Sequence, residues 1–368
     1  MSKKNSNFAV CFTIITFDLV MFKKKFLLIS LSVVLLLAII AGGTFLYLRQ
    51  TFVAPNIIIA DSDRVFIYIS DEVSTVEEVL AILSEQAKIK NRNSLKRAID
   101  RLEYTNVRSG RYEVRNGMNN KELVRMLRGG MQTPVRITFN NIRVREDLAG
   151  RLAQQLMIDS LSLVTALQDP AVAERFGFTH YSFPAMFIPN TYEVFWNISV
   201  DNLLNRFYRE YNNFWNENRR RKAAEIGLTP IEVSILASIV EAECTFADEY
   251  SRVAGLYLNR LRRGMRLEAD PTVIFAHGDF TIRRVLFRHL EIDSPFNTYR
   301  RTGLPPGPIR IPSTTVIDAT LSPERHNYIF MAANADFSGR HSFAVTHAQH
   351  QRNARAWQQA LNERRIFR

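Results

Sequence analysis

Two carboxylates spaced two apart, Glu241 and Glu243, close the run LASIVEAEC, and their surroundings differ. A helix start precedes them: Thr229 can cap, Pro230 suits the first helical position, and Glu232 stands where a capping-box carboxylate belongs. Counted along that helix, Glu243 lies four residues after Ile239 and seven after Leu236, so it shares their apolar stripe. Glu241 lies above Ala237 and Ser238, a smaller and more polar strip. Desolvation disfavours the charged form of a carboxylate and raises its pKa. Cleavage of a glycosidic bond needs such a protonated acid to deliver a proton to the leaving oxygen, so periodicity favours Glu243 over Glu241 as a general acid. The alternative from the helix alone is that both glutamates form surface ion pairs, for instance with Arg252 or Arg260.

The downstream chain supplies positions for such a site. Residues 249–263 read as a second helix ended by Gly264. Asp270-Pro271-Thr272, residues 294–299 (SPFNTY) and residues 303–309 (GLPPGPI) read as rigid loops on a helical scaffold, common locations for sites. Residues 328–332 and 341–346 flank a polar turn and form a hairpin. Asn297, Tyr299 and His341, together with Glu241, have side chains suited to sugar hydroxyls or rings, and a structural role stands open beside the substrate-binding one for each.

Upstream, residues 49–135 interleave strands with small helices and predict a compact α+β module. Residues 57–60 and 65–69 are β-rich, 75–87 and 93–102 helical, and 110–114 a strand with Tyr112 and Val114 on one face. Asn116-Gly117 is a turn signal, and 120–128 a helix closed by Gly129-Gly130. Residues 135–139 alternate as a strand, and helices follow around 145–156 and 160–167. Pro184 and Pro189 make 183–194 largely loop or extended. Residues 201–222 read as one long amphipathic helix with Leu203, Leu204, Phe207, Tyr208, Tyr211 and Phe214 inward.

Taken together, LASIVEAE, VAGLYLNRLRRGMRLEADPTVIFA, SPFNTYRRTGLPPGPI and HSFAVTHAQH resemble the YceG-like family of endolytic murein transglycosylases, the MltG type. The resemblance reaches upstream: SGRYEVRNGMNNKELVRMLRGG looks like that family's membrane-proximal LysM-like module, and FIPNTYEV like its Pro-Asp-Thr-Tyr segment. It implies an α+β fold with a LysM-like module over 49–135 and a YceG-like catalytic domain over 136–368. The implied activity is a lytic transglycosylase that breaks the β-1,4 bond between N-acetylmuramic acid and N-acetylglucosamine, leaves a 1,6-anhydro end, and trims or ends nascent strands. The second glutamate of the family's Glu-x-Glu carries over as catalytic and falls on Glu243. Two departures stand out: Cys244 takes the place where Thr is frequent, and Asn190 replaces the usual Asp. The rivals are a hydrolytic muramidase with Glu241 or Asp270 as second carboxylate, and a wall-binding scaffold that cuts nothing.

Residues 26–48 carry no charge, and 23 residues at ~1.5 Å each span about 35 Å, enough to cross a hydrocarbon core of roughly 30 Å. The apolar run continues past Ala41-Gly42-Gly43, which favours an uncleaved anchor over a signal peptide. Lys23, Lys24 and Lys25 precede the span and only Arg49 follows closely, so residues 1–25 are expected in the cytoplasm and everything after Gln50 outside the inner membrane. Met21 itself begins MFKKKFLLISL, an ordinary start for an anchor, so the translation start is open between Met1 and Met21. The expected partners are peptidoglycan glycan strands and the membrane, with peptidoglycan synthases a further partner class that the resemblance leaves open.

The formal net charge of +12 fits nucleic acid, an anionic membrane surface or an acidic polymer, and equally a solvated basic surface with no such partner. No zinc-finger spacing or RNA-binding signature accompanies it, so nucleic acid is not expected. The two cysteines, Cys11 and Cys244, fall on opposite sides of the span, which excludes a disulfide framework and a Cys-rich zinc site. The histidines have no HExxH spacing, and no metal or cofactor is expected.

Overall fold

The computed structural model describes residues 5–364, with side chains from residue 22 onward. The chain divides into two compact units, Met1–Thr133 and Pro134–Arg368. In the first, helix α1 (Asn5–Leu48) contains the expected span and begins well before it. Its stretch from Phe22 is apolar, exposed and long enough to cross a membrane, as a single-pass anchor requires. A wider helical turn, Arg49–Val53, follows.

Then come β1 (Ile57–Ile58), β2 (Arg64–Ile69), α2 (Val76–Gln86), β3 (Lys88–Ile89), α3 (Arg92–Arg101), β4 (Gly110–Arg115) and α4 (Asn120–Gly129). β2 and β4 pair antiparallel with Ile67 opposite Tyr112, and β1 pairs with β3. Strand alternation buries Ile67, Ile69, Tyr112 and Val114 against Val79, Leu83, Leu95, Leu123 and Leu127. Buried amides hold the start of the unit: Asn120 donates to the Thr51 carbonyl and to Ser94 Oγ, and accepts from Asn56 at 2.6 Å. Gly130 ends α4 at φ +64°, the left-handed conformation that favours glycine.

The second unit opens with β5 (Val135–Thr138), α5 (Arg145–Ala153), α6 (Ser160–Gln168) and the short α7 (Pro170–Arg175). Residues 183–194 are not all extended: Phe183–Met186 is a 3-10 turn, and β6 (Thr191–Val194) pairs antiparallel with β5. The single helix expected over 201–222 is two, α8 (Val200–Phe214) and α9 (Glu217–Glu225). Trp215 leaves the helix and is buried, while Asn216 caps α9 by accepting from Arg219 N at 3.1 Å. Leu203, Leu204, Phe207 and Tyr211 face the core as expected, whereas Tyr208 and Phe214 are only partly buried.

α10 (Pro230–Glu243) and α11 (Tyr250–Arg262) follow. Asp270-Pro271-Thr272 is not a loop but the first turn of α12 (Asp270–His277), with proline where its missing N–H costs nothing. α13 (Thr314–Thr320), the antiparallel hairpin of β7 (Phe330–Ala333) and β8 (His341–Ala344), and α14 (His347–Glu363) complete the unit. α10 runs through its core and touches α9, α11, α12 and α13.

Candidate active site

α10 starts with the capping box that the sequence predicts. Thr229 N donates to Glu232 Oε2 at 2.8 Å, and Glu232 N donates to Thr229 Oγ1 at 3.3 Å. All residues from Val233 to Val240 are buried, so the helix is enclosed on every side. Glu243 is its last residue, and Cys244 turns away in extended conformation.

Glu243 is partly buried and keeps contact with solvent. The Tyr257 hydroxyl, on α11, donates to Glu243 Oε1 at 2.9 Å. Burial pushes the carboxyl up to about 7, the Tyr257 hydrogen bond pulls it down, and the negative charge of Asp270 pushes it up again. The negative end of the α10 dipole acts in the same direction as burial. A carboxyl near 7 is divided between acid and base at neutral pH, the condition under which one group can give a proton and take another back. Burial raises the Tyr257 hydroxyl well above its ordinary range, so it stays a donor.

Asp270 faces this group from the first turn of α12. Tyr299 donates to Asp270 Oδ1 at 2.6 Å, and burial raises the Asp270 carboxyl while that hydrogen bond lowers it. Tyr299 is itself raised, by burial first and then by Asp270, and it also senses Glu243. Glu243, Tyr257, Asp270 and Tyr299 therefore form one coupled cluster, to which the sequence had assigned only Glu243 and Tyr299 as expected site residues and Asp270 as a rival carboxylate. Tyr257 was missed. Its signal was weak: it sits on the buried stripe of α11 with Val253, Ala254 and Leu258, where a tyrosine reads as core.

The other expected site residues brace the surroundings. Glu241 lies 3.1 Å from Arg310 Nε, both side chains nearly buried at 10% and 15% exposure. It also accepts from Ser313 N at 3.2 Å, which ties the 309–313 segment to α10. Arg252 and Arg260, the partners considered for the two glutamates, pair instead with Glu324 and Glu268. Asn297 is fully buried; its amide donates to the Leu290 and Ile292 carbonyls and accepts from Tyr299 N, so it holds the loop that aims Tyr299. Thr298 fastens that loop to α12 through Ala269 N and Thr272. His341 N and Nδ1 both contact the buried Glu249 carboxylate, at 3.0 and 3.1 Å, which joins β8 to the start of α11. Cys244 is a free, buried thiol, and among the described residues no group of three or more His, Cys, Asp or Glu side chains could hold a metal.

Comparison with known proteins finds relatives over most of the chain. The sequence model of the YceG-like family matches residues 68–356. An endolytic murein transglycosylase of Bacillus subtilis is 25% identical over 346 residues, 89% of this chain and 93% of that protein. A Streptococcus pneumoniae protein of the same name is 23% identical over 362 residues, and the match covers 88% of this chain but 64% of the pneumococcal one. The crystal structure of a yceG-like protein of Listeria monocytogenes is similar in fold, with a TM-score of 0.52 at 22% identity over 79% of this chain and 99% of that one.

Proposed function

The chain belongs to the YceG-like family, and from that membership and the Glu243 site we propose that it is a peptidoglycan lytic transglycosylase that cuts within glycan strands. The relatives named endolytic murein transglycosylase support the substrate and the bond. The observation that carries the mechanism is the Glu243 carboxyl, raised to about 7 and held by Tyr257.

Protonated Glu243 gives its proton to the glycosidic oxygen as the bond from that oxygen to C1 of N-acetylmuramic acid breaks, and the N-acetylglucosamine 4-hydroxyl leaves. The Glu243 carboxylate then takes the proton of the muramic 6-hydroxyl as O6 bonds to C1, which closes the 1,6-anhydro ring and restores the acid. The substrate's own hydroxyl stands where a hydrolase uses water, so one acid/base suffices. Tyr257 orients Glu243, and the Asp270 charge favours the protonated form that starts the cycle.

The remaining assignments complete the reading. Residues 49–135 act as a LysM-like glycan-binding module and 136–368 as the catalytic domain. The N-terminal helix is an inner-membrane anchor with the Lys23–Lys25 side in the cytoplasm. The exported part trims or ends strands made by nearby peptidoglycan synthases.

The test is digestion of purified sacculi by the full chain in detergent, with mass spectrometry of the products. Anhydro-muramic ends are expected. Reducing ends would replace the reading with hydrolysis using Asp270 as the water-activating base, and release of nothing would leave a glycan-binding scaffold.

A further inference from the structure

The second unit holds a recess beyond the Glu243 cluster, with different chemistry. It is a cleft of about 480 Å³, and its walls, including Ile142, Phe187, Phe275, Phe296 and Ile311, are hydrocarbon. Arg143, Arg145 and His180 bring positive charge to it, against one lining carboxylate, Glu146, which accepts from Gln168 at 2.5 Å. The Arg145 guanidinium lies against the His180 imidazole, 3.0 Å from Nε2, and donates to the His180 carbonyl. Among the described residues neither Arg143 nor Arg145 forms an ion pair, and the Arg143 guanidinium lies over the Phe280 ring, 5.2 Å from its centre. Burial lowers both the Arg145 guanidinium and the His180 imidazole from their usual ranges, and the Glu146 charge offsets this in part at Arg145, so the cleft holds a half-buried cation that feels Glu146 but has no ion-pair partner. An arriving carboxylate would supply that partner.

The cleft shares two of its walls with a second recess. Arg143 and Phe275 also line a smaller recess of about 150 Å³ whose other walls include Ala242 and Pro271, the chain neighbours of Glu243 and Asp270. The wall is fixed to α10 as well: Ile309 N donates to Ser238 Oγ, and Ile311 N donates to the Ile142 carbonyl. Gly307 allows this packing, since a Cβ there would stand 2.0 Å from the Tyr181 carbonyl oxygen.

A sugar ring needs hydrogen-bonding partners for its hydroxyls, and hydrocarbon walls supply few. A short peptide with methyl side chains and free carboxylates matches such walls and two guanidiniums. In murein that chemistry belongs to the stem peptide on the muramic lactyl group. We propose that this cleft is the stem-peptide subsite, in which Arg145, with Arg143 at the rim, receives a stem-peptide carboxylate while alanyl methyls lie against Phe275 and Phe296. The proposal rests on the murein-cleaving reading for its ligand, but its test does not require cleavage.

The experiment is calorimetric titration of the full chain with two probes: a disaccharide-tetrapeptide released from sacculi, and the same disaccharide after an amidase has removed the peptide. The peptide-bearing probe is expected to bind at least about tenfold more tightly, about 1.4 kcal/mol, from the charge-assisted contact. Arg145→Ala should collapse that ratio, and Arg143→Ala, at an exposed position, should reduce it about threefold or more. If Arg145→Ala melts early, Arg143→Ala decides. Equal affinities in the unaltered protein, no binding of either probe, or an unchanged ratio in Arg143→Ala overturns the subsite. Discrimination without any cutting of sacculi would instead sink the catalytic reading and leave the subsite standing.

Discussion

Glu243→Gln separates the acid from the fold, and its effect on stability has a sign that depends on pH. The folded protein holds the Glu243 proton to about pH 7, against 4.5 for an ordinary glutamate. The native state therefore binds more protons than the unfolded chain between those values. Its stability is fully present below 4.5 and falls as pH rises through 7. At 1.36 kcal/mol per unit, the ionised form costs the native state about 3 kcal/mol by pH 8. Glutamine does not ionise, and its carbonyl still accepts from Tyr257. The variant should thus match the parent at pH 4.5 and exceed it by about 3 kcal/mol at pH 8, or roughly 6–12 °C in Tm for a unit of this size. All three tryptophans, Trp196, Trp215 and Trp357, lie in the second unit, so urea unfolding followed by their fluorescence reports that unit alone. Release of anhydro ends should fall by at least about 10²–10⁴-fold in the same variant. A stability difference that is the same at both pH values, or that favours the parent at pH 8, would refute the desolvated-acid argument. Normal cutting by the variant would refute the catalytic assignment.

Four further substitutions have expected outcomes. Tyr257→Phe removes the hydrogen bond that lowers Glu243, so the alkaline limb of the pH dependence of kcat/KM should move upward from about 7, and a downward move would contradict the assigned role. Glu241→Gln leaves Arg310 nearly buried without its anion and should cost about 3 kcal/mol at pH 7 in urea unfolding, opposite in sign to Glu243→Gln; a neutral effect would mean the pair is not a brace. Gly307→Ala forces a Cβ toward the Tyr181 carbonyl and should cost about 1–3 kcal/mol, whereas Gly150→Ala on α5, with nothing within 4 Å, should gain about 0.5–1 kcal/mol in thermal melts.

Much of this fold is local, and local rules read it. The capping box of α10, the Tyr112–Val114 face of β4, and the β7–β8 hairpin all follow from residues within a few positions of one another. The misreadings have local causes too. Trp215-Asn216 interrupts 201–222 without breaking the apolar spacing, because the tryptophan is buried at the break and the asparagine caps the next helix. Asp270-Pro271-Thr272 reads as a loop by composition but obeys the same rule as Thr229-Pro230, proline in the first helical turn. Asn297 looked like a sugar ligand by type, but its amide is committed to loop carbonyls, a bonding pattern that residue type does not reveal.

The two glutamates show where sequence reasoning stops and why. Periodicity separates their strips on α10, but it does not say what each strip meets, since those neighbours come from distant parts of the chain. Glu241 meets a guanidinium and a backbone N–H, so its charge is answered and its work is to hold residues 309–313 on the helix. Glu243, two residues on, meets a neutral hydroxyl and the field of a second carboxylate, so its charge is opposed and its proton is retained. The same side chain becomes a brace in one case and an acid in the other because Arg310 reaches only one of them. Burial is the larger cause at Glu243, and the Asp270 charge adds to it. A Lys or Arg introduced beside Tyr257 would lower Glu243 toward an ordinary glutamate and remove the acid without touching it.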